Sequence, residues 1–193
     1  MLPTTASAKD MNGKFGIGVS QTLGGVSGAT FRYWATRSFG IEAVIGVSLV
    51  DRDGLRSSTT INGSFGILYT FVQKRTTNLS IGARVDLGFR TAPSTEAQAV
   101  RVSDAVDTQT GSMTQEASDT TLQLNAEIPI IVEYFFSDSF SVSLAFGFVV
   151  VVVPDEGAVL NVDGHGSASE AGEIGFGAGT GGLFGSAGFT FYF

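Results

Sequence analysis

The chain has 193 residues, which bounds it to one domain of moderate size. Glycine supplies 26 of them, about twice the usual share of roughly 7%, while charged residues reach only 15% against roughly 25% in an average soluble domain. A hydrophobic fraction of 43% is too high for an intrinsically disordered chain, and the lack of Cys excludes disulfide scaffolds and thiolate metal centres. The formal charge of −7 is unevenly spread: residues 1–91 hold ten of the eleven basic residues, and residues 92–193 hold thirteen of the eighteen acids. A nucleic-acid binder would show a clustered basic face, and none appears, so no nucleic-acid partner is expected.

Residues 1–13 read as an N-terminal tail, and residues 14–193 as the folded domain. Ala6-Ser7-Ala8 ahead of Lys9-Asp10 has the small-residue pattern of a signal-peptidase site, without the apolar core that should precede it. Two readings stay open: the cleavage region of an export signal, or a flexible tail. From there the dominant signal is alternation of period 2, the mark of strands. It is cleanest over Leu79–Arg90, where Leu79, Ile81, Ala83, Val85, Leu87 and Phe89 alternate with Ser80, Gly82, Arg84, Asp86, Gly88 and Arg90.

The same reading yields eight strands: Lys14–Leu23, Gly28–Ala35, Gly40–Val50, Thr60–Phe71, Leu79–Arg90, Leu122–Phe135, Phe140–Val153 and Glu173–Phe193. The longest run without polar side chains, Leu144 to Pro154, has eleven residues, too few for a spanning helix of about 20. Connections at residues 36–38, 73–78 and 137–139 are short and polar. The others are 24–27, 51–59, 91–121 and 154–172, the last two being long. Short turns at one end and longer loops at the other predict an all-β, eight-stranded antiparallel up-and-down barrel, with both termini on the short-turn side.

Three features decide which face points out. The small-residue face, with Gly16, Gly18, Ser80, Gly82, Gly88, Ser141 and Ser143, has too few charges for a surface in water, which normally carries about 25–35% Lys, Arg, Glu and Asp. The opposite face, with Phe15, Ile17, Phe31, Ile45, Phe65 and Ile67, is too bulky for the inside of an eight-stranded barrel. Tyr33, Tyr69, Phe71 and Tyr134 cluster near the short turns, where a membrane barrel carries an aromatic girdle. The expectation is a transmembrane barrel with its apolar face outward.

The chain ends Phe189-Thr190-Phe191-Tyr192-Phe193, apolar at alternate positions up to a final aromatic. This resembles the closing strand of bacterial outer-membrane barrels, and the whole pattern is similar to the small OmpA/OmpX-type barrels, barrel domain only. The resemblance implies a Gram-negative outer-membrane location with both termini periplasmic. It implies lipopolysaccharide and phospholipid as surrounding lipids. It also implies an assembly signal in Phe189, Phe191 and Phe193, read by the barrel-assembly machinery. The expected role is structural, or one of surface interaction through the long loops with an extracellular or envelope protein.

The inward face carries Arg32, Glu42, Arg84, Asp86, Arg90, Glu127 and Glu133, which predicts an interior network of paired charges. A polar core plugging the barrel is the expectation, and a narrow gated ion path is the alternative. Trp34, Leu68, Phe135, Phe184 and Tyr192 are expected to close the short-turn end. Val149, Val151 and Val153 also face inward, as packing under the loops or, alternatively, as a pocket for a small hydrophobic ligand. The only His, His165, sits between glycines in a loop, so no catalytic residue and no enzyme activity is assigned; lipid A modification is the remote alternative. Loop carboxylates such as Asp104, Asp107 and Glu116 lack calcium-loop spacing, and no metal or cofactor is expected. On the turn side, Lys9, Lys14, Arg37, Lys74 and Arg75 suit anionic headgroups.

Overall fold

The computed structural model describes residues 9–52, 55–93, 118–155, 158–160, 172, 174–178 and 185–193. Its strands are β1 (Phe15–Gln21), β2 (Ser27–Trp34), β3 (Phe39–Arg52), β4 (Leu55–Gln73), β5 (Thr77–Pro93), β6 (Ser118–Phe135), β7 (Phe140–Val152), β8 (Ile174–Ala178) and β9 (Ser186–Tyr192). Neighbours in sequence pair antiparallel from β1 through β7, and β9 bonds both β7 and β1. The sheet therefore closes on itself.

The expected last strand is two segments. β9 lies along Phe140–Ala145 of β7 and β8 along Phe148–Val152, so together they fill one position in the wall. The wall is an all-β, closed antiparallel barrel of eight positions. Closure pairs the circuit on both sides at the short-turn end, while β3 beyond Ile45 and β8 each pair on one side among the described residues.

The wall is uneven. β4, β5 and β6 run 19, 17 and 18 residues, while β1 and β2 run 7 and 8. Residues 51–59, expected as a loop, instead continue the hairpin: Arg52 pairs with Leu55, and only residues 53–54 fall outside the described set. The Ser and Thr of residues 57–60 serve as well in a strand as in a loop. β5 and β6 similarly extend to Pro93 and from Ser118. The rest of the long connection, and His165, lie outside the described residues.

Alternation is kept all round. Most inward positions are buried and outward apolar ones exposed or half-buried, with inward Ser48 and Arg90 opening towards the loop end. Two local faults interrupt the ladders. A bulge at Thr70/Val72 leaves Phe71 and Val72 both outward. Pro129, which has no N–H, sits where the β5–β6 ladder skips from Arg84↔Glu127 to Ile81↔Ile130.

Candidate functional site

The lumen is where this sequence concentrates polar chemistry, and register explains its arrangement. Arg32 on β2 lies opposite Glu42 on β3, Glu42 opposite Gly66 on β4, Gly66 opposite Arg84 on β5, and Arg84 opposite Glu127 on β6. Along this one row the charges alternate in sign. The glycine is essential to it. A Cβ at Gly66 would lie 2.3 Å from Cγ of Arg84, so only a bare backbone lets that side chain cross β4 towards Glu42.

The side chains form a continuous chain of pairs. Arg32 Nε donates to Glu42 Oε2 at 2.7 Å, and its Nη1 donates to Glu133 Oε1 at 3.0 Å. Arg84 Nη2 pairs with Glu42 Oε1, and Arg84 Nη1 donates to Glu127 Oε1 at 2.7 Å. All five side chains are buried. Glu133 Oε1 also accepts the hydroxyls of Ser141 and Tyr192, each at 2.7 Å, and Arg32 donates to the Tyr192 oxygen at 3.0 Å. Buried charges persist when each is paired and hydrogen-bonded; here every charge has an ion-pair partner, while Arg84 Nε is left without a hydrogen bond.

Below it, towards the short turns, the lumen is apolar. Met11, Trp34, Leu68, Ile131, Phe135, Ala145 and Tyr192 pack as one cluster. Phe184 lies outside the described residues. Met11 comes from the segment read as tail; Gly13 N donates to Trp34 O at 2.8 Å and ties that segment to β2. Lys9 lies over the Phe135 ring, 4.1 Å from its centroid, and donates to Ser137 O at 2.9 Å. Burial holds its pKa below the usual lysine value, against the pull of Asp138.

Above the network the β1–β2 turn, Thr22–Val26, folds into the lumen. Gly25 has φ +93°, the left-handed conformation that glycine adopts without strain. Gly24 N donates to Glu127 Oε2 at 2.7 Å, and Asn125 Nδ2 donates to Gly24 O at 2.8 Å. Leu23 packs on Val149, Val151 and Val153, so the inward valines have an occupant from the chain itself. Higher still, Val159 N and Leu160 N both donate to Gln123 Oε1, at 2.7 and 2.8 Å, and Leu160 packs on Val26 and Val44. Side chains and the inserted turn thus occupy the lumen at several levels.

Of the charged residues expected inside, Arg32, Glu42, Arg84, Glu127 and Glu133 come together as described. Arg90 stands apart at the rim, half-buried, and donates to Ala158 O at 3.3 Å. Asp86 is fully buried but joins neither arginine by an ion pair. Sequence reasoning missed Tyr192, Ser141, Gln123 and Asn125 as polar partners. Their signal was parity: each sits at an inward position of its strand. Phe189 and Phe191 point outward and contact Phe140, with Phe140 and Phe191 centroids 4.8 Å apart. Phe193 is exposed at the end.

No protein-family profile and no curated protein matches the sequence. Among solved structures, the chain is similar to the N-terminal β-barrel domain of Pseudomonas aeruginosa OprF, with TM-score 0.44 and 12% identity over 93% of this chain and 96% of that one. It is also similar to Ail, the attachment invasion locus protein of Yersinia pestis, with TM-score 0.47 and 11% identity over 95% of this chain and 100% of that one.

Proposed function

We propose that the chain is a non-enzymatic integral barrel of a bacterial outer membrane, whose sealed lumen stabilises the wall and whose loop face meets the cell's surroundings. The observation that carries this reading is the outer surface. Large apolar side chains such as Ile17, Phe31, Ile45, Phe65, Leu87 and Phe148 stand exposed around the closed wall. In water a monomer rarely exposes contiguous apolar patches beyond a few hundred Å². In lipid the same coat is favourable, and a closed barrel satisfies every backbone group internally. Among the described residues no helix is long and apolar enough to cross a membrane.

In this reading the short-turn end, with Lys9, Lys14, Arg37, Lys74 and Arg75, faces the periplasm and anionic phospholipid. The acidic loops face outward, towards lipopolysaccharide and any envelope or extracellular protein partner. Phe189, Phe191 and Phe193 present the closing strand to the assembly machinery. The absence of Cys makes single-cysteine labelling clean. On intact cells a membrane-impermeant maleimide is expected to label Ser103→Cys in the long loop and to spare Ser38→Cys in a short turn. Labelling of Ser38→Cys alone contradicts the orientation.

A narrow gated path is the second reading. Arg84 supports it, because it already contacts carboxylates on two sides, Glu42 and Glu127. In planar bilayers the wild type is expected to show no steady conductance. Discrete openings that disappear or change in Glu127→Gln would favour the gated path.

A further inference from the structure

Among the described residues, Asp86 is the one buried carboxylate of the lumen that the charge network leaves out. It lies inward on β5, fully buried, and neither of its oxygens has a hydrogen-bond partner. Ser64, directly opposite on β4, is also buried, and its hydroxyl is likewise unpartnered. Thr22, from the inserted turn, lies beside the same carboxylate. Thr22 Oγ1 accepts Val26 N–H at 3.0 Å and keeps a second lone pair.

Charge accounting points the same way. The two buried arginines are committed to Glu42, Glu127 and Glu133. With Asp86 the buried group holds four acids and two bases, and among the described residues no cation forms an ion pair with Asp86: Arg84, whose charge does act on it, is held by Glu42 and Glu127. An unpaired carboxylate in a low-dielectric interior is strongly disfavoured. The hydroxyls beside it are hard oxygen donors, Ser64 from β4 and Thr22 from the turn, while Asn125, opposite on β6, is already bonded to Gln123, Val152 and Gly24. Among the described residues no three His, Cys, Asp or Glu side chains are grouped to hold a metal, which leaves one carboxylate with two hydroxyls as the side-chain donors of the proposed set. That set carries a single negative charge and suits a small, hard, singly charged ion.

We propose that Asp86, Ser64 and Thr22 bind a small monovalent cation of sodium's size and hardness beneath the β1–β2 turn. The turn closes over the site: a Cβ at Gly24 would lie 1.8 Å from Asp86 Oδ2, so the backbone packs directly on the carboxylate. The ion joins β4, β5 and the turn, and its binding holds the turn in the lumen.

The test is the unfolding midpoint of the full chain in detergent micelles, compared in sodium chloride and choline chloride at equal ionic strength. A ligand that binds only the folded state raises the midpoint with its concentration. Sodium is expected to raise it above choline, and Asp86→Asn to lose that dependence. Ser64→Ala is expected to keep the fold and to need more sodium for the same shift. Equal midpoints in sodium and choline would overturn the proposal and point to a proton held on Asp86. An undiminished sodium effect in Asp86→Asn would overturn it as well. A shift given by calcium chloride but not by sodium would overturn the monovalent assignment.

Discussion

Val85 and Asp86 are neighbours on β5 and live in different solvents. Val85 is 45% exposed on the outer face, and Asp86 is 0% exposed on the inner one. The same inversion repeats along β6, where Leu124 and Ile128 stand out and Asn125 and Glu127 are buried. In a water-soluble protein the polar member of each pair would be the exposed one. The difference teaches that burial here follows geometry rather than polarity. The lumen is small and must be filled, so its polar groups satisfy one another. The outside needs only to be apolar, and its residues are otherwise interchangeable. Substitutions should therefore be sharply position-dependent inside and depth-dependent outside.

The largest effect is expected inside. Arg32→Ala leaves Glu42 and Glu133 without their shared cation, and breaking such a buried pair costs about 3–5 kcal/mol. Urea unfolding in micelles reads this, and a loss no larger than that of an outward Ala substitution would break the contrast. Next comes a charge on the lipid face. Phe65→Arg is expected to cost about 2–4 kcal/mol if it lies near the bilayer midplane, and about 0–1 near an interface. Refolding yield into liposomes measures it, and the effect should be weaker in micelles, whose headgroups lie closer.

A smaller effect is expected from Gly66→Ala. Its Cβ would press on Arg84 and on the Ala83 carbonyl at 2.7 Å, an overpacking that costs typically about 1–3 kcal/mol. Gly63→Ala on the same strand meets only Val44 O at 3.8 Å and serves as the control. A similar effect, more local in its reach, is expected from Asn125→Ala. It removes the hydrogen bond to the inserted turn along with those from Gln123 and Val152, and leaving such buried groups unsatisfied costs about 1–3 kcal/mol. Hydrogen exchange at Thr22 and Val26 should quicken while the wall amides stay protected.

Much of this contrast was legible in the sequence, because parity alone sorts residues between faces. Arg32, Glu42, Arg84, Glu127 and Glu133 fall on one face by alternation, and the Arg84–Glu127 pair follows from β5 adjoining β6. The bond between Arg84 and Glu42 was not legible. It depends on Gly66 standing between them in the register, and a glycine at an inward position looks like any other. The isolation of Asp86 was hidden for the same reason. It shares strand and parity with Arg84 but sits one inward step higher, where no arginine arrives. The inserted turn was the least legible part. Thr22–Val26 reads locally as a hairpin loop, and what draws it inward is Asn125 and Glu127, about a hundred residues away. Met11 escaped because residues 9–13 carry no strand pattern.

The central claim, that the exposed apolar face of this barrel is solvated by lipid, is tested most directly by a spin label at Val85→Cys in the barrel reconstituted into liposomes. The account predicts frequent collision with dissolved oxygen and little with a water-soluble nickel chelate, the reverse of a label at Thr36→Cys in a short turn. A label at Val85→Cys that meets the nickel chelate as readily as the one at Thr36→Cys would contradict it.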